Sequence, residues 1–244
     1  MMVKLILGFL WYLIHLVISL FNLWSHLCNN LECYLISSEL LPKFRNLRLE
    51  KLKYLGVVVD SREANNILKV KQLLWWLSTI GVKNVILYDV EGVLKKLLEP
   101  GIKASRDRNS RNSINVSANM EASHFSHGGM AVECLSGSDG KEGIAKAANL
   151  MYSDFCNCAT HGSAKSDIIF TEADMACALR AAGSGGAEPD LLLVYGPVRC
   201  HLGFPAWRLR YTEIVHMGSL KSMKYGSIVK AFYRFSEKYQ NYGK

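Results

Sequence analysis

EPDLLLVYGPVRCHLGFPAWRLRYTEIV, residues 188–215, is the stretch on which the reading of this chain turns. A short apolar run, Leu191 to Tyr195, reads as a buried strand. It enters a Gly196-Pro197 turn, and an aromatic segment follows. In open α/β sheets ligands sit just outside the carboxyl ends of the strands, so this is where the mouth of a site belongs. The turn itself, GPVRCHLG, contains no carboxylate and a single arginine. The chain has the walls of a site and few of the groups that do chemistry.

Outward from this stretch, strand and helix patterns alternate. YLGVVVD (Tyr54 to Asp60) is an apolar strand that ends in polar residues, and VKNVILYD (Val82 to Asp89) is a second. Between them Ile67, Val70, Leu73, Leu74, Leu77 and Ile80 recur at helical spacing, and Gly81 closes that helix. GVLKKLLE predicts a helix that stops at Pro100. MAVECLS predicts a third strand and KEGIAKAANLMYSDF the helix behind it. Thr171, with Asp174 three residues on, marks a helix start, and a last helix is expected from about Ser222 to Tyr239. The alternation predicts an α/β fold with a mainly parallel sheet covered by helices. Residues 101–129 break the rhythm, being polar, rich in Ser and Asn and without periodicity, and read as a long mobile insertion.

The N-terminus departs most from ordinary composition. Leu5 to Trp24 is mostly apolar, with His15 and Asn22 its only strongly polar side chains, and about 20 such residues suffice to cross a bilayer as a helix. It lacks the short apolar core and small-residue cleavage site of a signal peptide. Residues 1–30 are therefore expected to anchor the chain in a membrane, 31–50 to form a basic linker, and 51–244 to form the folded domain. Lys43, Arg45, Arg48, Lys51 and Lys53 follow the span, whereas only Lys4 precedes it, which places the C-terminal domain in the cytosol. Seven cysteines, odd in number and irregularly spaced, agree with a reducing compartment. On this topology the sequon Asn115-Val116-Ser117 is not a glycosylation site.

A net charge of +8 favours anionic partners without naming one. The basic stretch from Lys43 to Lys53 lacks interleaved stacking aromatics and any RNA-binding motif, so no nucleic-acid partner is expected and attraction to a membrane surface explains it better. Cys156, Cys158 and His161 supply three zinc-type ligands where a structural site wants four, and His124 and His127 are poorly placed to complete the set. SGSDGKEG lacks the spacing of a phosphate loop and reads as a strand-to-helix turn.

The opening segment resembles the fifth signature region of the cis-prenyltransferase family, the undecaprenyl and dehydrodolichyl diphosphate synthases. Asp190, Leu191, Phe204, Trp207, Tyr211 and Glu213 fall in register with it without a gap. VVVDSRE resembles the family's first region, with Asp60 in register. The resemblance covers most of residues 50 to 244 outside the insertion and implies an undecaprenyl diphosphate synthase-like fold. The departures fall on chemical positions. Ser61, Arg62 and Ala64 stand where the family has Gly, Asn and Arg; Val194 and Cys200 stand where it has diphosphate-binding arginines, and Val198 where it has Glu. A fixed donor to a developing charge is worth about 3–4 kcal/mol in such a site, so losing several implies a chain that is not a catalyst alone.

This pattern resembles one branch, the Nogo-B receptor-like, plant Leaf Wilting-type non-catalytic subunits of dehydrodolichyl diphosphate synthase. It is carried by the N-terminal apolar segment, Gly196-Pro197-Val198, the segment Phe204 to Glu213 and the tail Asn241-Tyr242-Gly243-Lys244. The resemblance implies an accessory subunit at the endoplasmic reticulum membrane, paired with a catalytic cis-prenyltransferase. That pair joins isopentenyl diphosphate units to farnesyl diphosphate and makes the dolichol precursor used in protein N-glycosylation. Asn241, Gly243 and Lys244 are then expected to reach substrate in the partner's site, and Phe204, Trp207, Tyr211 and Glu213 to serve as scaffold or interface. Mg²⁺ is expected on the partner; Asp60 and Glu213 are vestigial candidates, read here as a strand-end cap and an interface hydrogen bond, with no metal of their own. Two rival readings remain open: a self-sufficient homodimeric prenyltransferase using Asp60, and a membrane receptor or scaffold on the same fold.

Overall fold

The structure, a computed structural model, describes residues 2–44, 47, 49–98, 123–160 and 169–238, and of 123–127 and 158–160 the backbone alone. Residues 101–122 of the expected insertion, His161 of the Cys/His motif and the tail carrying Asn241, Gly243 and Lys244 lie outside the described residues. The chain forms two compact units, one from Leu49 to Met223 and one that joins the N-terminal segment to Lys224–Lys238.

The larger unit is built on a six-stranded sheet in the order β3-β4-β2-β1-β5-β6. Its strands are β1 (Leu55–Val59), β2 (Asn84–Asp89), β3 (Ser123–His127), β4 (Met130–Ser136), β5 (Leu191–Tyr195) and β6 (Glu213–Gly218). All pairings are parallel except β3 with β4. β1 and β5 are buried at every position, as the central strands of a sheet covered on both faces must be. One face of the sheet supplies Val58, Ile86, Tyr88, Leu192 and Val194, which pack with Leu135 and Phe204. By the two-residue period of a strand, Val57, Val59, Leu87 and Leu193 serve the other face, and all four are fully buried. Burial of each such side chain is worth about 1.5–3 kcal/mol, which sets the core as the dominant favourable term.

The connecting helices are α2 (Ser61–Ala64), α3 (Ile67–Ile80), α4 over 93–98 as far as it is described, α5 (Lys141–Thr160) and α6 (Glu172–Ala181). α3 buries Val70, Leu73, Leu74 and Leu77, the positions its periodicity assigns to the core. α6 opens with the expected capping box, Thr171 and Asp174 each bonding the other's backbone N–H. Two strands and the short helix α2 are additional to the elements the sequence predicts. β3 falls inside the stretch read as insertion, where Ser123–His127 pairs antiparallel with β4 as an edge strand. β6 continues the aromatic segment, and an extra residue, Met217, bulges it against Val194 and Tyr195.

In the smaller unit α1 (Met2–Ser37) runs past residue 30, the expected end of the anchor, and packs on α7 (Tyr225–Glu237). Among the described residues α1 is the one helix long and apolar enough to cross a membrane, and its most apolar stretch is wholly unburied in the fold. Its last turns are polar and are used differently. Asn30 accepts from Lys224, Asn29 accepts from Lys230 at 3.0 Å, and Glu32 pairs with Lys230. Ser37 Oγ accepts from the Gly226 N–H at 3.1 Å, and Cys33 Sγ lies 3.2 Å from Ser227 Oγ. The helices meet so closely at Gly226 that a Cβ there would lie 2.2 Å from the Cys33 carbonyl oxygen. Phe44 stacks edge-on against Tyr233, and Lys43 lies 4.8 Å over the same ring. A Gly226→Val substitution is expected to pry α7 from α1 and cost about 1–3 kcal/mol. The check is thermal unfolding of the full chain in detergent, with faster proteolytic release of the C-terminal helix as a second readout.

Candidate functional site

The five parallel strands bring Val59, Asp89, Ser136, Tyr195 and Gly218 to one edge of the sheet, where the chain turns after each of them. A helix that begins at a strand end leaves its first N–H groups without intrahelical acceptors, and this edge supplies carboxylates to meet them. Asp60 caps α2: its Oδ1 accepts from the Arg62 N–H at 3.0 Å, while its own N–H donates to the Tyr195 carbonyl at 2.9 Å. Asp89 is fully buried and accepts from the N–H groups of Val93 and Leu94 at 2.7 and 2.9 Å, opening α4. Asp139 accepts from the N–H and hydroxyl of Ser136 at 2.8 and 3.1 Å, so SGSDGKEG is a turn capped from within. Glu63, on α2, accepts from the Leu220 N–H at 2.6 Å and from the Ser219 hydroxyl, fixing the turn that leaves β6. The Gly196 N–H donates to the Gly218 carbonyl at 2.9 Å, and His216 Nε2 lies 2.9 Å from the Gly196 carbonyl.

The positions that the family fills with arginine have become apolar or solvent-facing. Val194 is 1% exposed and lies in the core, whereas Cys200 and Arg199 are exposed on the turn. The Tyr195 hydroxyl is completely buried and has no hydrogen-bond partner among the described residues, and burial pushes its pKa upward. Burial, reinforced by the carboxylates of Asp89 and Asp139, pushes the Tyr88 hydroxyl up to about 12.

Glu213 lies at the other edge. It pairs with Leu191 at the start of β6, and its N–H donates to the Asp190 carbonyl at 3.0 Å. Asp190 works at that edge too, accepting from the N–H groups of Lys53 and Tyr54 at 2.7 and 2.9 Å. The Asp60 and Glu213 levels are five strand positions apart, about 16 Å along the strands. These two carboxylates therefore do not converge on one ion within this chain. Among the described residues no three His, Cys, Asp or Glu side chains group as a metal site. A six-coordinate magnesium ion, which wants several oxygens around one point, is not fitted by the described residues.

Phe204 is a core residue, edge-on to Tyr88 with ring centroids 5.4 Å apart. Trp207 packs against Ala147, Ala178 and Leu179 of α5 and α6. Tyr211 is more than half exposed. Between Trp207 and the two helices lies an open groove of about 790 Å³, lined by Ile144, Met151, Phe170, Met175 and Arg210 among others. Tyr152, Phe155 and Phe170 add exposed aromatic surface beside it.

What holds this wall was missed in the sequence. Arg208 is 3% exposed and forms a two-pronged pair with Glu133 of β4, Nη1 to Oε1 at 3.0 Å and Nη2 to Oε2 at 2.8 Å. Its Nε donates to the Ala187 carbonyl at 2.7 Å. The backbone at Gly186 comes so near that a Cβ would sit 2.7 Å from the Arg208 Cζ. The one available signal was Glu133 itself, a lone carboxylate inside the apolar run MAVECLS, since a buried charge needs a partner.

The fold is that of undecaprenyl diphosphate synthase. It aligns with a probable undecaprenyl diphosphate synthase from Campylobacter jejuni at a TM-score of 0.51, 16% identity, and coverage of 79% of this chain and 99% of that one. It aligns with lavandulyl diphosphate synthase from Lavandula x intermedia at 0.54, with 17% identity and coverage of 80% and 99%. In sequence the chain is similar to the human dehydrodolichyl diphosphate synthase complex subunit NUS1, 27% identical over 208 residues, 80% of this chain and 68% of that protein. The Schizosaccharomyces pombe subunit of the same name is 23% identical over 225 residues, 87% of this chain and 84% of its own. No protein-family profile matches. The resemblance read from the turn and its aromatic segment is borne out by these relatives.

An Arg208→Met substitution alone leaves Glu133 buried and unpaired and is expected to cost about 3–5 kcal/mol. Arg208→Met combined with Glu133→Leu is expected to recover most of that loss. Denaturant unfolding of the single and double variants measures both.

Proposed function

We propose that this chain is the accessory, catalytically silent subunit of a heteromeric cis-prenyltransferase and activates a catalytic partner for dolichol synthesis. Similarity to NUS1 subunits of the dehydrodolichyl diphosphate synthase complex supports it. The observation that carries it is the state of the sheet edge. Asp60 is engaged as a helix cap and Val194, at a family arginine position, is buried in the core. Diphosphate chemistry needs several fixed cationic or N–H donors, and this edge offers carboxylates already committed to the backbone. The partner brings the reacting groups, binds farnesyl and isopentenyl diphosphate, and holds Mg²⁺. Asn241, Gly243 and Lys244 are assigned to its substrate site, where a glycine N–H can approach a phosphate closely. The partner covers the groove beside Trp207, an apolar surface of the kind that marks a protein interface. α1 keeps the complex at the endoplasmic reticulum membrane with the sheet-bearing unit in the cytosol.

The test is incorporation of labelled isopentenyl diphosphate into long-chain polyprenyl diphosphate from farnesyl diphosphate and Mg²⁺. This chain alone, a catalytic cis-prenyltransferase alone, and the two co-expressed are compared. Strong activity is expected in the co-expressed sample only, with the gain abolished by deleting residues 241–244. Met151→Asp in the groove is expected to lower co-purification at least tenfold while the isolated chain keeps its fold. Activity of this chain alone with Mg²⁺ overturns the silent-subunit reading in favour of a self-sufficient enzyme. No gain with any partner favours a receptor or scaffold.

A further inference from the structure

α3 carries a face that its own unit does not use. Val70, Leu73, Leu74 and Leu77 point inward, but Leu68 is 76% exposed and Trp75 61% exposed. At a separation of seven residues these two lie on one stripe, two turns apart, with Gln72 and Thr79 between and beyond them. Lys71, on the flank, is exposed as well, and Lys69 on the other flank donates to Gln72 at 3.1 Å. From Asn65 to Tyr88 the sequence holds three lysines, Lys69, Lys71 and Lys83, and no carboxylate. The nearest acid before the helix, Glu63, is committed to Ser219 and Leu220, and the first after it, Asp89, to Val93 and Leu94.

Exposed Trp and Leu beside uncompensated Lys is the composition of a surface that rests in the headgroup layer of a bilayer. The indole and leucine enter the acyl boundary, and the ammonium groups meet anionic phosphates. A protein partner would be met by the same apolar stripe, but the missing carboxylates and two flanking lysines favour an anionic surface. Covalent connection adds to this. The sheet-bearing unit, Leu49 to Met223, is continuous in the chain with the unit that holds α1 at both of its ends. A unit so tethered meets the bilayer at high effective concentration, so even a weak patch is occupied. We infer that the face of α3 formed by Leu68, Lys71 and Trp75 is a second, peripheral membrane contact, and that its ligand is the anionic phospholipid surface. This contact is separate from the anchor helix and does not depend on the subunit reading.

The test uses the full chain reconstituted into vesicles, either of phosphatidylcholine alone or with about a quarter phosphatidylserine. Leu68→p-benzoylphenylalanine and, independently, Trp75→p-benzoylphenylalanine place a photo-crosslinker on the face; Lys146→p-benzoylphenylalanine on the exposed surface of α5 is the reference. At least fivefold more lipid capture at 68 and 75 than at 146 is expected, rising with phosphatidylserine and falling in a Lys71→Glu background. Equal capture at all three positions overturns the inference. So does capture of a second protein chain in place of lipid at 68 and 75, or lipid capture indifferent both to phosphatidylserine and to Lys71→Glu.

Discussion

Every parallel strand ends at the same edge of a sheet, and every helix that begins there presents N–H groups with no acceptor. That constraint shapes this molecule more than any other. A catalyst has to satisfy it while keeping side chains free for substrate. Here Asp60, Asp89, Asp139 and Glu63 all meet it with their own carboxylates. Asp89 and Glu63 have both oxygens engaged in this way, and Asp60 and Asp139 one each. Replacing Val194 by a charged residue would set that charge inside the core cluster with Val58, Ile86 and Phe204, where it has no counterion.

The walls of the mouth survive for a reason independent of chemistry. Arg208 spans from the segment after β5 to the middle of β4, and its guanidinium satisfies both oxygens of Glu133 and a backbone carbonyl. Such a pair adds little net stability compared with a well-packed apolar alternative, because desolvating two charges offsets most of the attraction. Its consequence is geometric. With Arg208 fixed, its neighbour Trp207 is held against α5 and α6, and Phe204 is seated under the turn. A groove that depends on one buried ion pair is a defined surface, suited to recognition whether or not catalysis occurs behind it.

The strands were legible where they were apolar throughout, because a strand buried on both faces has no polar alternation to confuse with helix. β1 and β5 are wholly of this kind, and β2 and β4 largely so, with Asn84 and Asp89 at the ends of β2 and Glu133 within β4. β6 was hidden because Glu213, Ile214 and His216 give an edge strand with a half-exposed face, and because it begins inside an aromatic segment that drew attention for other reasons. β3 was hidden by composition: SHFSH looks like loop, and its pairing is set by β4 across a two-glycine turn at Gly128 and Gly129. In the site, Asp60 as a cap was readable, since a carboxylate between a strand and a helix is the usual acceptor for that turn. Glu63 and Arg208 were not, because their partners stand 157 and 75 residues away in sequence. Local spacing carries caps; it does not carry long-range pairs.

The same distinction changes what the N-terminal helix means. At 36 residues α1 is about 54 Å long, while the hydrocarbon core of a bilayer is about 30 Å thick. Hydropathy marks the first part as apolar enough to cross that core and stays silent on the rest. Yet that remainder holds Asn29, Glu32, Cys33 and Ser37, which contact α7, and Asn30, which accepts from Lys224 at its cap. Gly226, which no periodicity argument would single out, permits the contact because any side chain would collide with the Cys33 carbonyl. The helix that is apolar enough to cross a membrane is therefore also the surface on which the C-terminal helix is built. An anchor that served only as a tether could be exchanged for any other apolar span. One whose last two turns are half of a packed helix pair cannot, and its polar end is as much a part of the fold as the sheet.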